Sequence, residues 1–153
     1  MKNLTIFSND EIVLIIGNIG VENARYATQM IINHYDISDD DIFINVGICG
    51  ANKEYEISRV LEIGAINYNE IQYIFDKKKI EILCADEAVE QTGEYDCADM
   101  ESFGFYDAII HNPAIKKFHI FKIVSDHFEP NKVTKEKAKL LISNNIDKIT
   151  ELI

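Results

Sequence analysis

Cysteine, proline and tryptophan are scarce in this sequence. The 153 residues include no tryptophan and two prolines, and the three cysteines, Cys49, Cys84 and Cys97, form neither a CxxC spacing nor an even set. No disulfide framework or zinc knuckle is therefore expected. No apolar run approaches the roughly 20 residues that span a bilayer, and no export leader is recognisable at the start. These absences predict a cytoplasmic protein with reduced thiols and no membrane association.

Positive charge is also in short supply. There are 26 acidic and 15 basic residues, for a formal net charge of −11. The average field therefore repels nucleic-acid phosphates and anionic lipid. The basic run at Lys77–Lys79 is expected to be a solvated turn, and the four histidines show no metal-ligand spacing, so neither a metal nor a cofactor is predicted. A small neutral ligand suits this composition better than a nucleic acid.

The most informative stretch is Ile42–Ala51, an apolar run that ends in two glycines. Such a run is typical of a central parallel strand that is covered on both faces. Ligands of open α/β sheets bind beyond the carboxyl ends of these strands, where glycine lets the backbone approach them closely. The sequence therefore predicts a pocket at Val46–Ala51, whose floor is formed by Val46–Gly50 and includes Val46, Gly47 and Ile48.

The order of the remaining segments predicts an α/β fold. Segments Leu4–Phe7 and Ile12–Ile16 are expected to form a hairpin, followed by a turn at Gly17–Gly20 and a helix over Val21–Tyr35. This helix would connect Ile12–Ile16 to the glycine-ended strand in a right-handed, parallel βαβ unit. The turn matches neither the dinucleotide fingerprint nor the P-loop, and it is either an anion site or simply a tight turn.

Further strands are expected over residues 60–67, 71–75, 80–84 and 118–124, and helices from Asp99 and over Thr134–Ile153. The inward face of the last helix is predicted to carry Ala138, Ile142, Ile146, Ile149 and Ile153. Together the segments predict one domain over residues 1–153, a three-layer α/β/α sandwich around a mixed, largely parallel sheet.

Acidic residues stand at three element boundaries. Asp99 could cap a helix whose first turn holds Glu101, or Glu101 could accept hydrogen bonds from a sugar diol, because its two oxygens match two vicinal hydroxyls. Asp126, after Ser125, could form an Asx turn or serve as a general acid in a dry pocket. Asp86 follows another strand and could also meet a ligand.

Taken in order, these segments resemble the purine nucleoside phosphorylase and methylthioadenosine/S-adenosylhomocysteine nucleosidase superfamily, from about Glu11 to Ile153. The matching motifs are Gly17-x-x-Gly20 with its helix, Ile44–Ala51, Asp86, Asp99–Glu101 and Val124–His127. The resemblance implies a nucleoside phosphorylase-like fold. It also implies that Glu101 binds the ribose hydroxyls, Met100 packs against the sugar, Asp126 protonates purine N7 and Ser125 orients Asp126.

Some positions depart from the family pattern. Asn45 stands where bacterial phosphorylases have a phosphate-binding arginine, and Ile48 replaces a serine, so a phosphate site is not expected. The chain is also expected to lack the family's first strand, which carries a water-positioning carboxylate or a phosphate-binding arginine. The segment with Asp86, Ala88 and Val89 resembles the one that stacks an aromatic ring on the base. Ala88 stands at the ring position, so another ring, from Phe128 or Tyr68, would have to replace it.

The resemblance implies an enzyme of nucleoside metabolism or salvage that cleaves the N-glycosidic bond of a purine nucleoside. A nucleosidase, which is a hydrolase, is expected before a phosphorylase, which is a glycosyltransferase, and family habit suggests a homo-oligomer. Two other hypotheses remain open: a nucleoside-binding or regulatory module of the same fold without chemistry, and a flavodoxin-like domain that binds a nucleotide or flavin.

Overall fold

A computed structural model describes residues 3–153, which form two compact units. Unit 1 contains the residues up to Phe43 together with Met100–Phe118, and unit 2 contains Ile44–Asp99 and His119–Ile153. The strands are β1 (Thr5–Ser8), β2 (Val13–Ile16), β3 (Ile42–Ala51), β4 (Val60–Tyr68), β5 (Ile71–Ile74), β6 (Ile80–Cys84), β7 (Cys97–Asp99) and β8 (Lys117–Asp126). The helices are α1 (Val21–His34), α2 (Ser102–Ile110) and α3 (Lys135–Glu151), with a 3₁₀ turn at Pro130–Lys132. None of the helices in residues 3–153 is long and apolar enough to cross a membrane. The single domain over residues 1–153 stays a prediction.

Unit 1 combines a hairpin with two packed helices. Strands β1 and β2 pair antiparallel, with Thr5 opposite Ile16, and α1 begins at Val21, so the predicted hairpin and helix are confirmed. Helices α1 and α2 approach closely at Gly104, where a Cβ atom would lie 2.0 Å from the carbonyl oxygen of Val21. Only glycine permits this approach.

The predicted parallel βαβ unit is wrong. Within residues 3–153, β2 pairs with β1 alone, in a two-stranded sheet. Its turn is closed by Asn9, whose Oδ1 accepts hydrogen bonds from the backbone N–H groups of Glu11 and Ile12 at 2.8 and 2.7 Å. The loop-closure cost of such a local pairing is small, which favours the neighbouring strand over a distant parallel one.

Unit 2 is built on a six-stranded mixed sheet in the order β5-β4-β6-β7-β3-β8, in which β8 also pairs with the first residues of β4. The pairs β4–β6 and β6–β7 are parallel, whereas β4–β5, β4–β8 and β3–β7 are antiparallel. The predicted fold class, an α/β fold around a mixed sheet, is confirmed. Strand β3 lies between β7 and β8, but it is not parallel to β7, and Ile42 and Ile44 are exposed. Because β4, β6 and β7 run in one direction and both β3 and β8 run opposite to it, β3 is parallel to β8. The expectation that both faces of β3 are covered is wrong at the start of the strand, where Ile42 and Ile44 lie.

Strand β4 pairs with β5, β6 and β8, and its register with β6 shifts at Gly64. Residues 60–62 pair with β8, and residues 63–67 pair with β6. The carbonyl oxygen of Gly64 accepts hydrogen bonds from the backbone N–H groups of Phe75 and Asp76, and a Cβ atom at position 64 would lie 2.0 Å from the carbonyl oxygen of Asp76. Any side chain at position 64 would therefore push the backbone of Asp76 away from β4.

The main cluster of unit 2 joins β8 to α3. Phe121 and Ile123 pack against Leu141 and Ile149. The predicted inward face of α3 is correct for Ile149 but wrong for Ile146 and Ile153, which are 46% and 47% exposed. The physical reason is Asn145, which is buried because its Nδ2 donates to Ser58 Oγ at 3.0 Å and to the Leu141 carbonyl oxygen at 2.8 Å. A satisfied polar side chain can thus occupy the buried face in place of isoleucine.

Candidate functional site

Asp126, the last residue of β8, is held in a fixed orientation and is only 7% exposed. Its Oδ1 lies 2.6 Å from Ser125 Oγ, and its Oδ2 accepts a hydrogen bond from the backbone N–H of Glu129 at 2.8 Å. The second bond is local, like the Asx turn considered from the sequence, but it reaches the N–H three residues on, whereas an Asx turn uses the N–H two residues on. The same side chain therefore closes the turn and presents a positioned carboxyl group.

Ser125 can respond to the protonation state of Asp126. Its Oγ also lies 3.1 Å from the carbonyl oxygen of Cys49. Because one hydroxyl has a single proton and two acceptor lone pairs, Ser125 can donate to the carboxylate of Asp126 or turn its proton to the Cys49 carbonyl. In the second arrangement it accepts the proton of a protonated Asp126, so both states of the acid keep a hydrogen-bond partner.

The glycine-ended strand β3 meets this acid at Gly50. A Cβ atom on Gly50 would lie 3.4 Å from Asp126 Oδ2 and 3.3 Å from Phe128 Cδ1. The absence of a side chain therefore allows the carboxyl group and the ring to approach the backbone of β3. The predicted floor residues Val46 and Ile48 instead pack against the cluster of Phe121, Ile123, Leu141 and Ile149, so their side chains face the core.

Phe128 adopts an uncommon conformation next to Asp126. Its φ angle is +60°, in the left-handed region that bulky residues rarely occupy, and its side chain is buried. Backbone outliers of this kind persist where the surroundings hold them and are common at functional sites. His127, one residue earlier, places its Nδ1 3.0 Å from the carbonyl oxygen of Ala51, which ties the loop to the end of β3.

The segment expected to contact a base lies after β6. Asp86 and Ala88 are exposed and Val89 is half-buried. The Tyr68 hydroxyl donates to Asp86 Oδ1 at 2.9 Å, so this ring is tied to the strand end. The other ring considered as a replacement, Phe128, lies next to Gly50, close to Asp126 Oδ2.

Sequence reasoning missed a buried ion pair beneath β3. Lys122 Nζ lies 2.8 Å from Asp99 Oδ2, and both side chains are essentially inaccessible. Asp99 therefore ends β7 and does not cap α2, which begins at Ser102. The available signal was the lysine itself, because a charge within the apolar run of residues 118–124 requires a partner.

Glu101 occupies the N-cap position of α2 in unit 1, although its side chain does not cap that helix. Its Oε1 accepts a hydrogen bond from the backbone N–H of Gly20 at 3.1 Å, and its Oε2 accepts one from the N–H of Met100 at 3.4 Å. Gly20 has a φ angle of +107°, which a side chain would strain, so the predicted glycine turn is required at this contact.

The two predicted carboxylates belong to different units. Asp126 lies in unit 2 with Ser125 and Gly50, whereas Glu101 lies in unit 1 with Met100 and Gly20. Their convergence on one ligand stays a prediction.

The three thiols are unsuited to nucleophilic catalysis. Cys49, Cys84 and Cys97 are buried and form no disulfide bond within residues 3–153. The hydrogen bond with the Cys97 thiol, together with burial, raises the pKa of Cys49 well above its ordinary value. The thiolate, which is the reactive form, is therefore suppressed at Cys49. Within residues 3–153 no cluster of His, Cys, Asp or Glu side chains could hold a metal ion.

The mixed sheet and its helices match the nucleoside phosphorylase-like fold of similar solved structures. One similar structure is a protein of Francisella philomiragia assigned as a 5′-methylthioadenosine/S-adenosylhomocysteine nucleosidase, with 13% identity, 99% of this chain and 85% of that chain covered, and a TM-score of 0.71. Another is the 5′-methylthioadenosine/S-adenosylhomocysteine nucleosidase of Colwellia psychrerythraea in complex with adenine, with 13% identity, 94% of this chain and 84% of that chain covered, and a TM-score of 0.65. A third is futalosine hydrolase of Helicobacter pylori, with 12% identity, 95% of this chain and 76% of that chain covered, and a TM-score of 0.66. The resemblance stated from the sequence is therefore confirmed at the level of the fold. No protein-family model and no curated protein sequence matches the chain.

Proposed function

We propose that the chain is a nucleosidase that hydrolyses the N-glycosidic bond of a purine nucleoside. The observation that carries this proposal is the arrangement at the end of β8, where Asp126 is buried against Gly50 and bonded to Ser125. Similarity in fold to nucleosidases that act on adenine nucleosides adds support. The three buried thiols, which form no disulfide bond within residues 3–153, are in keeping with a cytoplasmic location.

In the proposed reaction, Asp126 donates its proton to purine N7 as the bond between the base and sugar C1′ breaks. The bonding electron pair leaves with the base, and positive charge develops on the sugar. Ser125 keeps a hydrogen bond to Asp126 in both protonation states, because its hydroxyl can turn to the Cys49 carbonyl. Water then bonds to C1′ and releases a proton that restores Asp126. General acid catalysis of this kind contributes typically 10²–10⁴-fold.

Glu101 would bind the ribose hydroxyls, with Met100 packed against the sugar. Its bonds to the N–H groups of Gly20 and Met100 hold the carboxylate in place before a ligand arrives. Preorganisation of this kind lowers the cost of binding, because few degrees of freedom remain to be lost. Asp86, Ala88 and Val89 would lie beside the base.

Water is favoured over phosphate as the nucleophile. Asn45 replaces an arginine, and its Oδ1 is a buried acceptor that has no hydrogen-bond partner within the described part of the chain. A neutral amide supplies none of the positive charge with which an arginine binds phosphate, whereas its acceptor oxygen can accept a hydrogen bond from a water molecule. The net charge of −11 also disfavours an anionic co-substrate.

Release of free base from adenosine, inosine, methylthioadenosine and S-adenosylhomocysteine, with and without phosphate, tests the proposal by chromatography. We expect base release that does not require phosphate. Asp126→Asn should lower turnover by roughly 10²–10⁴-fold while binding persists, and Glu101→Gln should weaken sugar recognition. Asp147→Asn, an exposed carboxylate on α3, is the matched control. Absence of free base from all four nucleosides, or full activity of both site variants, would refute the proposal.

A second candidate is a nucleoside-binding module without chemistry. It is favoured by Ala88, an exposed residue at the position where the family pattern has a stacking ring. Calorimetry that detects nucleoside binding by a preparation without turnover would support this candidate against the enzyme.

We also propose that the chain forms a homo-oligomer through its hairpin. Six large apolar side chains between residues 6 and 19 are 44–70% exposed. Together they expose on the order of 600 Å², close to the roughly 800 Å² that each partner contributes to a standard interface. Strand β1 has an unpaired edge within residues 3–153, and this strand contains neither proline nor charge to discourage pairing. A second copy of β1, which is equally uncharged, is the partner that we favour.

A further inference from the structure

The ion pair of Lys122 and Asp99 occupies a place where an apolar pair would normally stand. The two side chains are 1% and 0% exposed, and Lys122 lies between Phe121 and Ile123 within β8. Burying two charges carries a desolvation cost that their attraction often fails to offset, and well-packed apolar residues are frequently as stable or more so. Stability alone therefore gives no reason for this pair.

Gly47 of β3 provides the space for the lysine. A Cβ atom on Gly47 would lie 3.0 Å from Lys122 Nζ and 3.8 Å from its Cδ. The ammonium group thus meets three strands at once: β8, which carries it, β7, which ends in Asp99, and β3, which leaves room for it. This arrangement therefore needs Lys122 in β8, Asp99 at the end of β7 and a glycine at position 47 of β3.

The need to pair Lys122 with Asp99 beside Gly47 determines the register of β8. Side chains alternate between the two faces of a strand, so a slip by one residue would move Lys122 to the opposite face of the sheet. There it would lack Asp99, and an uncompensated buried charge is strongly unfavourable. Apolar neighbours could exchange faces at a lower cost, which is why the charged pair specifies one register and an apolar pair would not.

We propose that Lys122, Asp99 and Gly47 form a register lock that positions the acid at the end of β8. Asp126 lies four residues after Lys122 on the same face of the strand, and Ser125 meets the carbonyl oxygen of Cys49 only in the observed register. Lys122 is therefore a positioning residue that acts through the backbone of β8 and does not itself touch the substrate. This inference rests on the proposed nucleosidase function for its kinetic measurement.

The test is the double variant Lys122→Met/Asp99→Asn, which removes both charges but keeps similar side-chain shapes. We expect a cooperatively folded protein in which base release falls at least tenfold in kcat with little change in KM, and in which the amides of residues 125–129 exchange faster with deuterium. The amides of α3 should keep their protection. Arg25→Met/Asp107→Asn removes a partly buried ion pair between α1 and α2 and is the matched control, with exchange at residues 125–129 unchanged.

Gly47→Ala provides a second route that leaves both charges in place. The new methyl group would displace the ammonium group, so base release should fall and exchange at residues 125–129 should rise. Gly17→Ala is its control, because a Cβ atom there meets Ala27 Cβ at 3.5 Å and the Asn23 carbonyl oxygen at 3.9 Å, both ordinary contact distances. If the charge-free double variant or Gly47→Ala folds with wild-type turnover and wild-type exchange, the register lock is refuted.

The two proposals fail in distinguishable ways. If the wild-type protein releases no base, the nucleosidase proposal is lost, and hydrogen exchange alone decides the register lock. Loss of protection confined to residues 125–129 in both variants would then support it, and unchanged protection would overturn it.

Discussion

The hairpin of unit 1 and strand β8 of unit 2 are both rich in apolar residues, yet one is exposed and the other is buried. Phe7 in the hairpin is 56% exposed, whereas Phe121 in β8 is fully buried. Strand β8 pairs with both β3 and β4 and is packed by α3, while β1 and β2 pair only with each other within residues 3–153. Burial therefore follows from the number of partners that an element has and not from its apolar content.

The same difference bears on function. Strand β8 carries Lys122, Ser125 and Asp126, all buried and all bonded to neighbouring strands or loops. Groups on rigid, well-packed elements hold their geometry better than groups on loops. The hairpin contributes instead an apolar surface and leads to Gly20, the contact of Glu101.

The largest expected effect on stability is the difference between truncating Phe121 in β8 and truncating Phe7 in the hairpin. Phe121→Ala should lower the free energy of unfolding by about 3–5 kcal/mol, because it leaves a cavity between β8 and α3. Phe7→Ala should change the free energy of unfolding of the single chain by less than about 0.5 kcal/mol, measured at a protein concentration where the chain is monomeric, since in the single chain the ring is largely in water. Urea denaturation of both variants measures the difference. Equal losses would show that the hairpin is packed as tightly as β8.

An intermediate effect on stability is expected at Glu62 of β4. Its Oε1 lies 2.5 Å from Lys79 Nζ and 2.9 Å from Nδ1 of His119, near the start of β8. Burial raises the pKa of Glu62, but the bonds and charges of Lys79 and His119 outweigh it, so the pKa lies below the ordinary 4.5. Because the folded-state pKa is lowered, the contribution to stability is present above about pH 4.5 and is lost as the pH falls through the folded-state value.

Glu62→Gln should therefore cost about 1 kcal/mol at neutral pH, with a smaller difference from wild type in acid. Unfolding in urea across a pH series measures this dependence. Glu11→Gln, in the exposed hairpin turn, is the control. A difference between Glu62→Gln and wild type that stays constant from neutral pH into acid would contradict the assignment.

The smallest effect on stability should come with a change in assembly. Phe7→Lys places a charge on β1 and should convert a dimer to a monomer in light scattering, with an unchanged free energy of unfolding per chain. Leu140→Lys, at a 62% exposed position on α3, should leave the dimer intact. A wild-type protein that is monomeric at its highest soluble concentration would overturn the proposed interface.

Local patterns predicted much of this structure. The hairpin, α1, β4 and β6 follow from periodicity and turn residues, which act over a few positions. The motif resemblance also indicated the fold and drew attention to Glu101 and Asp126. Strand β7 was missed because its three residues are too short for a periodic signal, and Asp99 was consequently assigned to the wrong element.

The sequence by itself determined the elements and the types of residue at their ends, because turns, caps and apolar spacing are local properties. Only the tertiary structure decided that β2 remains in its hairpin, that Asn145 faces the core and that Lys122 pairs with Asp99 beneath Gly47. Each of these outcomes depends on groups that are far apart along the chain, and their energies arise only when packing brings the partners together and removes water.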